Sequence, residues 1–271
     1  MEKRLLFGWL VFVFLLILSP LAAYALRIDN PKTVVQMVPG EIYSGTIVLT
    51  NPTPEQVYIK AYLEDFSYIP PFNGEKEFFP PASLDNSAST WVSFSPQEFT
   101  IPPNSQQQVG FSIQPTEDFD TVCNSVLFFE TSIGTTQDEQ GKDINLLGRI
   151  GSLIFVEPKG RVKKAVFDEL RGASGAIGGL IRNSGKSLIH MLGTYYLMDE
   201  QGIVKMRGEL QETLLLPGNE TNLTVELEKG LDSGRYTMIY TMDLEEGDML
   251  MKEVDFTVSG SGVAKVLEVR D

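Results

Sequence analysis

The chain has 271 residues, with 22 Lys plus Arg against 36 Asp plus Glu, a formal net charge of −14. That balance argues against a nucleic-acid binder, which needs a basic face, and against docking on an anionic membrane surface. One cysteine and one histidine exclude an intrachain disulfide and a closed zinc site.

The N-terminus reads as an export signal, residues 1–25. Lys3 and Arg4 precede an apolar run over 5–18, Pro20 ends it, and Ala23-Tyr24-Ala25 supplies a small-x-small cleavage pattern. Cleavage would make Leu26 the first mature residue. Retention as an anchor is the alternative, because residues 5–26 are almost long enough to span a bilayer. No later apolar stretch approaches 18 residues, so no membrane span is expected in the mature chain. The expected location is outside the cytoplasm, in a periplasm or at a cell surface.

From there the chain reads as strands. Residues 43–49 alternate apolar and polar and end in the turn Asn51-Pro52-Thr53-Pro54; Val57, Ile59, Ala61 and Leu63 line one face of the next run. Residues 64–90 read as an irregular sheet-crossing connection. Further runs cover 91–99, 109–113, 126–131 and 144–156. Pro158-Lys159-Gly160 is the best boundary. A second series follows over 176–182, 188–198, 203–213, 222–227, 236–244 and 250–258, punctuated by Asn183-Ser184-Gly185 and Leu216-Pro217-Gly218. Period-two patterning with turn signals every 8 to 12 residues indicates an all-β chain. The expected fold is two immunoglobulin-like antiparallel β-sandwich domains in tandem after the signal peptide: residues 26–157 and 158–258, then a short tail, 259–271.

No enzymatic constellation assembles. Gly185-Lys186-Ser187 resembles the end of a phosphate loop, but Leu180 stands where the motif needs glycine, and a strand follows instead of a helix. Gly172-Ala173-Ser174-Gly175 is one residue short of a nucleophile elbow. His190 lies on an expected strand and reads as a structural side chain; Cys123 reads as a buried thiol. The acidic stretch 243–248 fits a solvated hairpin tip and lacks EF-hand spacing, leaving calcium as a minor alternative. No catalytic residue, cofactor, metal or small-molecule substrate is expected.

One strand stands out. In INLLGRIGSLIFV, residues 144–156, Ile144, Leu146, Ile150, Ile154 and Val156 share one face, while Leu147, Leu153 and Phe155 lie on the other. A half-exposed antiparallel strand should not be apolar on both faces. Either the second domain covers it or a partner strand adds to it. The face of Ile144, Leu146 and Ile150 is the expected partner-binding face.

The mature chain resembles the two-domain periplasmic pilus-assembly chaperones. The carriers are VPGEIYSGTIVLTNPTPEQVYIKAYLED, WVSFSPQEFTIPPNSQQQVGFSIQP and the apolar strand ending Phe155-Val156-Glu157-Pro158. In the second half they are NSGKSLIHMLGTYYLMDEQG, LLLPGNE and LDSGRYTMIYTM. The first half is also similar to surface proteins that interact with WxL proteins. The resemblance implies an exported, non-enzymatic protein that chaperones or scaffolds a pilus or envelope subunit by β-strand addition. The alternative is a structural cell-surface or peptidoglycan-associated module. In the chaperones an arginine and a lysine grip the subunit's C-terminal carboxylate; their places fall near Val34 and at Leu153 here, neither of them basic.

Overall fold

The computed structural model describes residues 26–228, 231–247 and 249–271; the export signal lies outside them. The first half contributes β1 (Arg27–Ile28), β2 (Lys32–Met37), β3 (Tyr43–Asn51), β4 (Val57–Tyr68), β5 (Lys76–Phe79), β6 (Val92–Ser95), β7 (Glu98–Ile101), β8 (Ser105–Ile113), β9 (Cys123–Gln137) and β10 (Asp143–Pro158). The second contributes β11 (Ala165–Ala173), β12 (Ala176–Asn183), β13 (Ile189–Asp199), β14 (Val204–Glu209), β15 (Thr213–Leu215), β16 (Glu220–Glu226), β17 (Gly234–Asp243), β18 (Leu250–Val258) and β19 (Ala264–Arg270). One short 3-10 turn, Ser89–Trp91, is the helical content of the described residues.

Each half is a two-sheet sandwich. In the first, β1-β3-β8-β6 faces β2-β10-β9-β4-β5, with β7 also on β4. In the second, β11-β12-β16 faces β14-β13-β17-β18-β19, with β15 also on β13. No sheet mixes strands from the two halves. This is the immunoglobulin-like pair of sandwiches that the alternation predicts, with one departure: β2 joins β10 in a parallel ladder, Leu153 opposite Lys32 to Pro158 opposite Met37.

The first core follows from the period-two pattern. Ile47 and Leu49 of β3, Val109, Phe111 and Ile113 of β8, Leu127 and Phe129 of β9, and Ile154 and Val156 of β10 are all buried in it. The other face of the β4–β9–β10 sheet is not solvated near the boundary. Phe66, Tyr68, Val126, Phe128 and Phe155 join the second half's core with Leu188, Ile189 and Leu215. Backbone bonds from Val122 N to Lys186 O (2.8 Å) and from Leu214 N to Phe72 O (2.7 Å) stitch the halves together.

Two stretches depart from the sequence reading. The 64–90 connection carries the end of β4, which turns into β5; the segment beyond β5 is tied back to buried Asp65 of β4, which accepts from Ser83 N, Leu84 N and the Ser87 hydroxyl. The 259–271 tail is an edge strand, β19, paired with β18. The loose Ser259-Gly260-Ser261-Gly262 is the turn between them, with Ser259 N bonded to Val263 O.

Candidate protein-binding edge

Strand β10 has 16 residues and pairs with β9 along most of its length, Asp143 opposite Gln137 to Val156 opposite Cys123. On its other side β2 reaches only from Leu153 onward. Over 143–152, no strand among the described residues pairs with that side. Leu153 N donates to Pro31 O on the β2 side. Backbone groups alternate between the two edges of a strand, so Asn145, Leu147 and Arg149 turn their N–H and C=O toward the open edge. Leu146, Gly148 and Ile150 turn theirs toward β9.

The three residues expected to meet a partner do share a face. Ile144 and Leu146 are 42% and 43% exposed, and Ile150 is half-buried against the first core. Ile154 and Val156 continue the same face into full burial. The face therefore grades from core to open surface, because the sandwich ends before the β9–β10 hairpin does. Ile133, 66% exposed, joins it from a bulge in β9 opposite Leu146 and Leu147. Sequence reasoning missed Ile133; its only signal was one large apolar residue within a polar stretch. On the opposite face Leu147 is exposed, while Leu153 and Phe155 pack into the cluster shared with the second half. The two-faced apolar pattern thus has two causes. Near the boundary both faces are covered internally; toward the hairpin tip both faces and one edge are open.

At the foot of the open edge lies a cleft between the halves, lined among others by Lys32, Val34, Arg161 and Lys163. Lys32 sits opposite Leu153, its Nζ 5.6 Å from the centre of the Phe155 ring, and Val34 sits opposite Phe155. The counted positions near Val34 and at Leu153 are apolar, and the cation on this strand comes two residues earlier. Glu157, 2% exposed, is held by Arg161 and by the Ser187 hydroxyl, and Arg161 also pairs with Glu246. Burial, then the charge of Arg161, lowers the Lys163 ammonium below its ordinary range; its Nζ donates to Glu245 O at 2.6 Å.

The other sequence candidates take structural places. Gly185-Lys186-Ser187 is the β12–β13 turn, with Lys186 paired to Asp120. His190 lies between Glu212, 2.5 Å from Nε2, and Glu245, 2.8 Å from Nδ1. Cys123 is buried, and burial, then the charges of Glu117 and Asp120, pushes its thiol up to about 11. At the acidic tip, Asp243 Oδ1 accepts from Glu245 N, and Glu246 is taken by Arg161. Among the described residues, no group of three or more His, Cys, Asp or Glu side chains is placed to hold a metal ion, and no helix is long and apolar enough to cross a membrane.

Two sandwiches in tandem with one long, half-open strand at the junction define a two-domain immunoglobulin-like fold. No family model and no curated protein sequence matches this chain. Solved structures do. It is similar to a chain from a chaperone–tip adhesin complex of CFA/I fimbriae biogenesis, with a TM-score of 0.52 and 13% identity, covering 84% of this chain and 97% of that one. It is similar to the same extent of the class 5 fimbriae chaperone CfaA, with a TM-score of 0.50 and 13% identity. At such identity the likeness is one of fold.

Proposed function

We propose that this chain is an exported, non-enzymatic protein that chaperones or scaffolds pilus or envelope subunits, acting in the periplasm or at the cell surface. The observation that carries the reading is the open edge of β10 over 143–152, flanked by an exposed apolar face. A partner strand would bond to the backbone groups of Asn145, Leu147 and Arg149, while Ile144, Leu146 and Ile150 enter apolar pockets beside it. The fold likeness to chains described as fimbrial chaperones, one of them in complex with a tip adhesin, supports it. In this reading the chain divides at 157/158, and the second sandwich braces the foot of the binding strand.

Proline scanning tests the edge. Leu147→Pro removes an N–H that faces the open side, which an edge strand tolerates; Leu146→Pro removes one that bonds to β9. The probe is a fimbrial subunit domain produced without its complementing strand and assayed for solubility and protease resistance. The native chain should hold it soluble, and Leu147→Pro should melt like the native chain yet fail to hold it. If Leu147→Pro holds the subunit as well as the native chain does, strand addition at this edge is wrong.

A further inference from the structure

An edge strand with one side open to water should fray, and a frayed strand pays an ordering cost each time it receives a partner. The outer face of β10, opposite Ile144 and Leu146, carries an arrangement that counters this. Arg149 extends across the sheet away from the open edge. Its guanidinium lies 4.1 Å from the centre of the Phe128 ring on β9 and 4.9 Å from that of Phe78 on β5. Its Nη1 is 3.0 Å from both carboxylate oxygens of Glu64 on β4. One side chain thus reaches from the edge strand over two neighbours to the far edge of the sheet.

The seat for that side chain is built by its surroundings. Gly151, two residues along, lies opposite Phe128. A Cβ there would come within 2.7 Å of Val126 Cγ2 and 2.9 Å of Phe128 Cε1, so the missing side chain is what lets the Phe128 ring lean across β10. Phe78 meets Phe128 edge-on at 5.0 Å, and Tyr62 donates to Glu130 at 2.9 Å alongside. Aromatic rings and a carboxylate are the partners a planar guanidinium satisfies together; an ammonium cannot reproduce both.

We infer that Arg149 is a positioning residue, a strap that holds the open segment of β10 flat and extended from its outer face while leaving its inner face and free edge clear for a partner. This rests on the strand-addition reading above and adds what keeps the strand ready.

The test combines amide exchange on the free protein with capture of the strand-deleted fimbrial subunit. The variants are Arg149→Gln, Arg149→Lys and Glu64→Gln. In Arg149→Gln the amides of Leu146, Gly148 and Ile150, which bond to β9, should exchange at least about tenfold faster, while those of Val109 and Phe111 in β8 stay unchanged. Capture should weaken by a similar factor, with Arg149→Lys and Glu64→Gln in between. Unchanged exchange at the three amides would overturn the strap. So would faster exchange spread evenly over the sandwich, which marks an ordinary packing residue. Local loosening without any loss of capture would overturn its positioning role. Should the native chain itself fail to hold the subunit, strand addition fails, and the exchange pattern still decides whether the strap exists.

Discussion

Asn51 and Asn183 hold the same position in the two sandwiches. Each is buried at the end of a strand that hands the chain from one sheet to the other, β3 to β4 and β12 to β13. Asn51 Nδ2 donates to Ile101 O (3.1 Å), Pro102 O (3.0 Å) and Glu55 O (2.7 Å), while its Oδ1 accepts from Thr53 N. Asn183 Nδ2 donates to Leu215 O (2.7 Å) and Ser187 O (2.8 Å), while its Oδ1 accepts from Gly185 N. In both halves the carboxamide ties the crossover turn to the end of the short strand that pairs with the next long one. Truncation leaves buried carbonyls without donors, so Asn51→Ala and Asn183→Ala should each cost about 2–3 kcal/mol. Asn→Asp should cost at least as much at neutral pH, because it aims a carboxylate at carbonyl oxygens. Denaturant unfolding of the four variants checks this.

The C-terminal strand is pinned electrostatically. Asp255, 5% exposed, accepts from Thr237 Oγ1 (2.7 Å) and Arg235 Nη2 (2.8 Å), and Arg270 of β19 reaches it at 3.2 Å. The Thr237 hydroxyl, working against burial, and then the Arg235 and Arg270 guanidiniums hold its carboxyl below the usual carboxylate range. A depressed native pKa contributes stability above the unfolded value, near pH 4, and that contribution disappears as pH falls through the native value. Asp255→Asn should therefore cost about 1–2 kcal/mol at pH 7, with the gap to the native chain closing below about pH 4. A pH series of thermal melts reads it, and a gap that stays constant down to pH 3 contradicts it.

The junction gives a third prediction. Glu157 of β10 accepts the hydroxyl of Ser187 from the second sandwich, and Arg161 bridges Glu157 to Glu246. Removing the carboxylate strands part of that network. Glu157→Ala should destabilise by about 2–3 kcal/mol and split unfolding into two transitions, one per sandwich. Calorimetry showing a single transition shifted to lower temperature would mean that the apolar contacts of Phe72, Phe155 and Leu188 couple the halves unaided.

How much of this was legible depends on how local each feature is. The strands of both cores follow from alternation, and buried runs such as Ile47 and Leu49 or Tyr236, Met238, Tyr240 and Met242 land where the pattern puts them. Strand β5 was hidden because Lys76-Glu77-Phe78-Phe79 does not alternate; its pairing with β4 and the cover of Arg149 stabilise it. Strand β19 was hidden because its outward Leu267 and Val269 remain exposed, and register to β18 with the Arg270 ion pairs holds it instead. Where along β10 the edge opens could not be read. The opening arises because β2 begins only opposite Leu153, and no property of residues 144–152 records where a strand more than a hundred residues earlier begins.

The last prediction separates the two faces of β10. Leu146 and Leu153 lie on opposite faces of one strand; Leu146 is 43% exposed, and Leu153 packs against the cluster shared with the second sandwich. Glutamate at 153 withdraws a half-buried leucine from the cluster shared with the second sandwich and sets a charge against it that Lys32, opposite on β2, offsets only in part, so Leu153→Glu should lower the melting temperature clearly. Glutamate at 146 stays in water in the free protein, so Leu146→Glu should melt within about 0.5 kcal/mol of the native chain. Its cost falls on the complex, where the partner's apolar pocket must take the charge and capture of the strand-deleted fimbrial subunit should drop by at least about a hundredfold. Equal destabilisation by both variants would mean that both faces are internal. A stable Leu146→Glu that captures the subunit as well as the native chain would make the exposed face idle and remove the side-chain half of the binding mechanism.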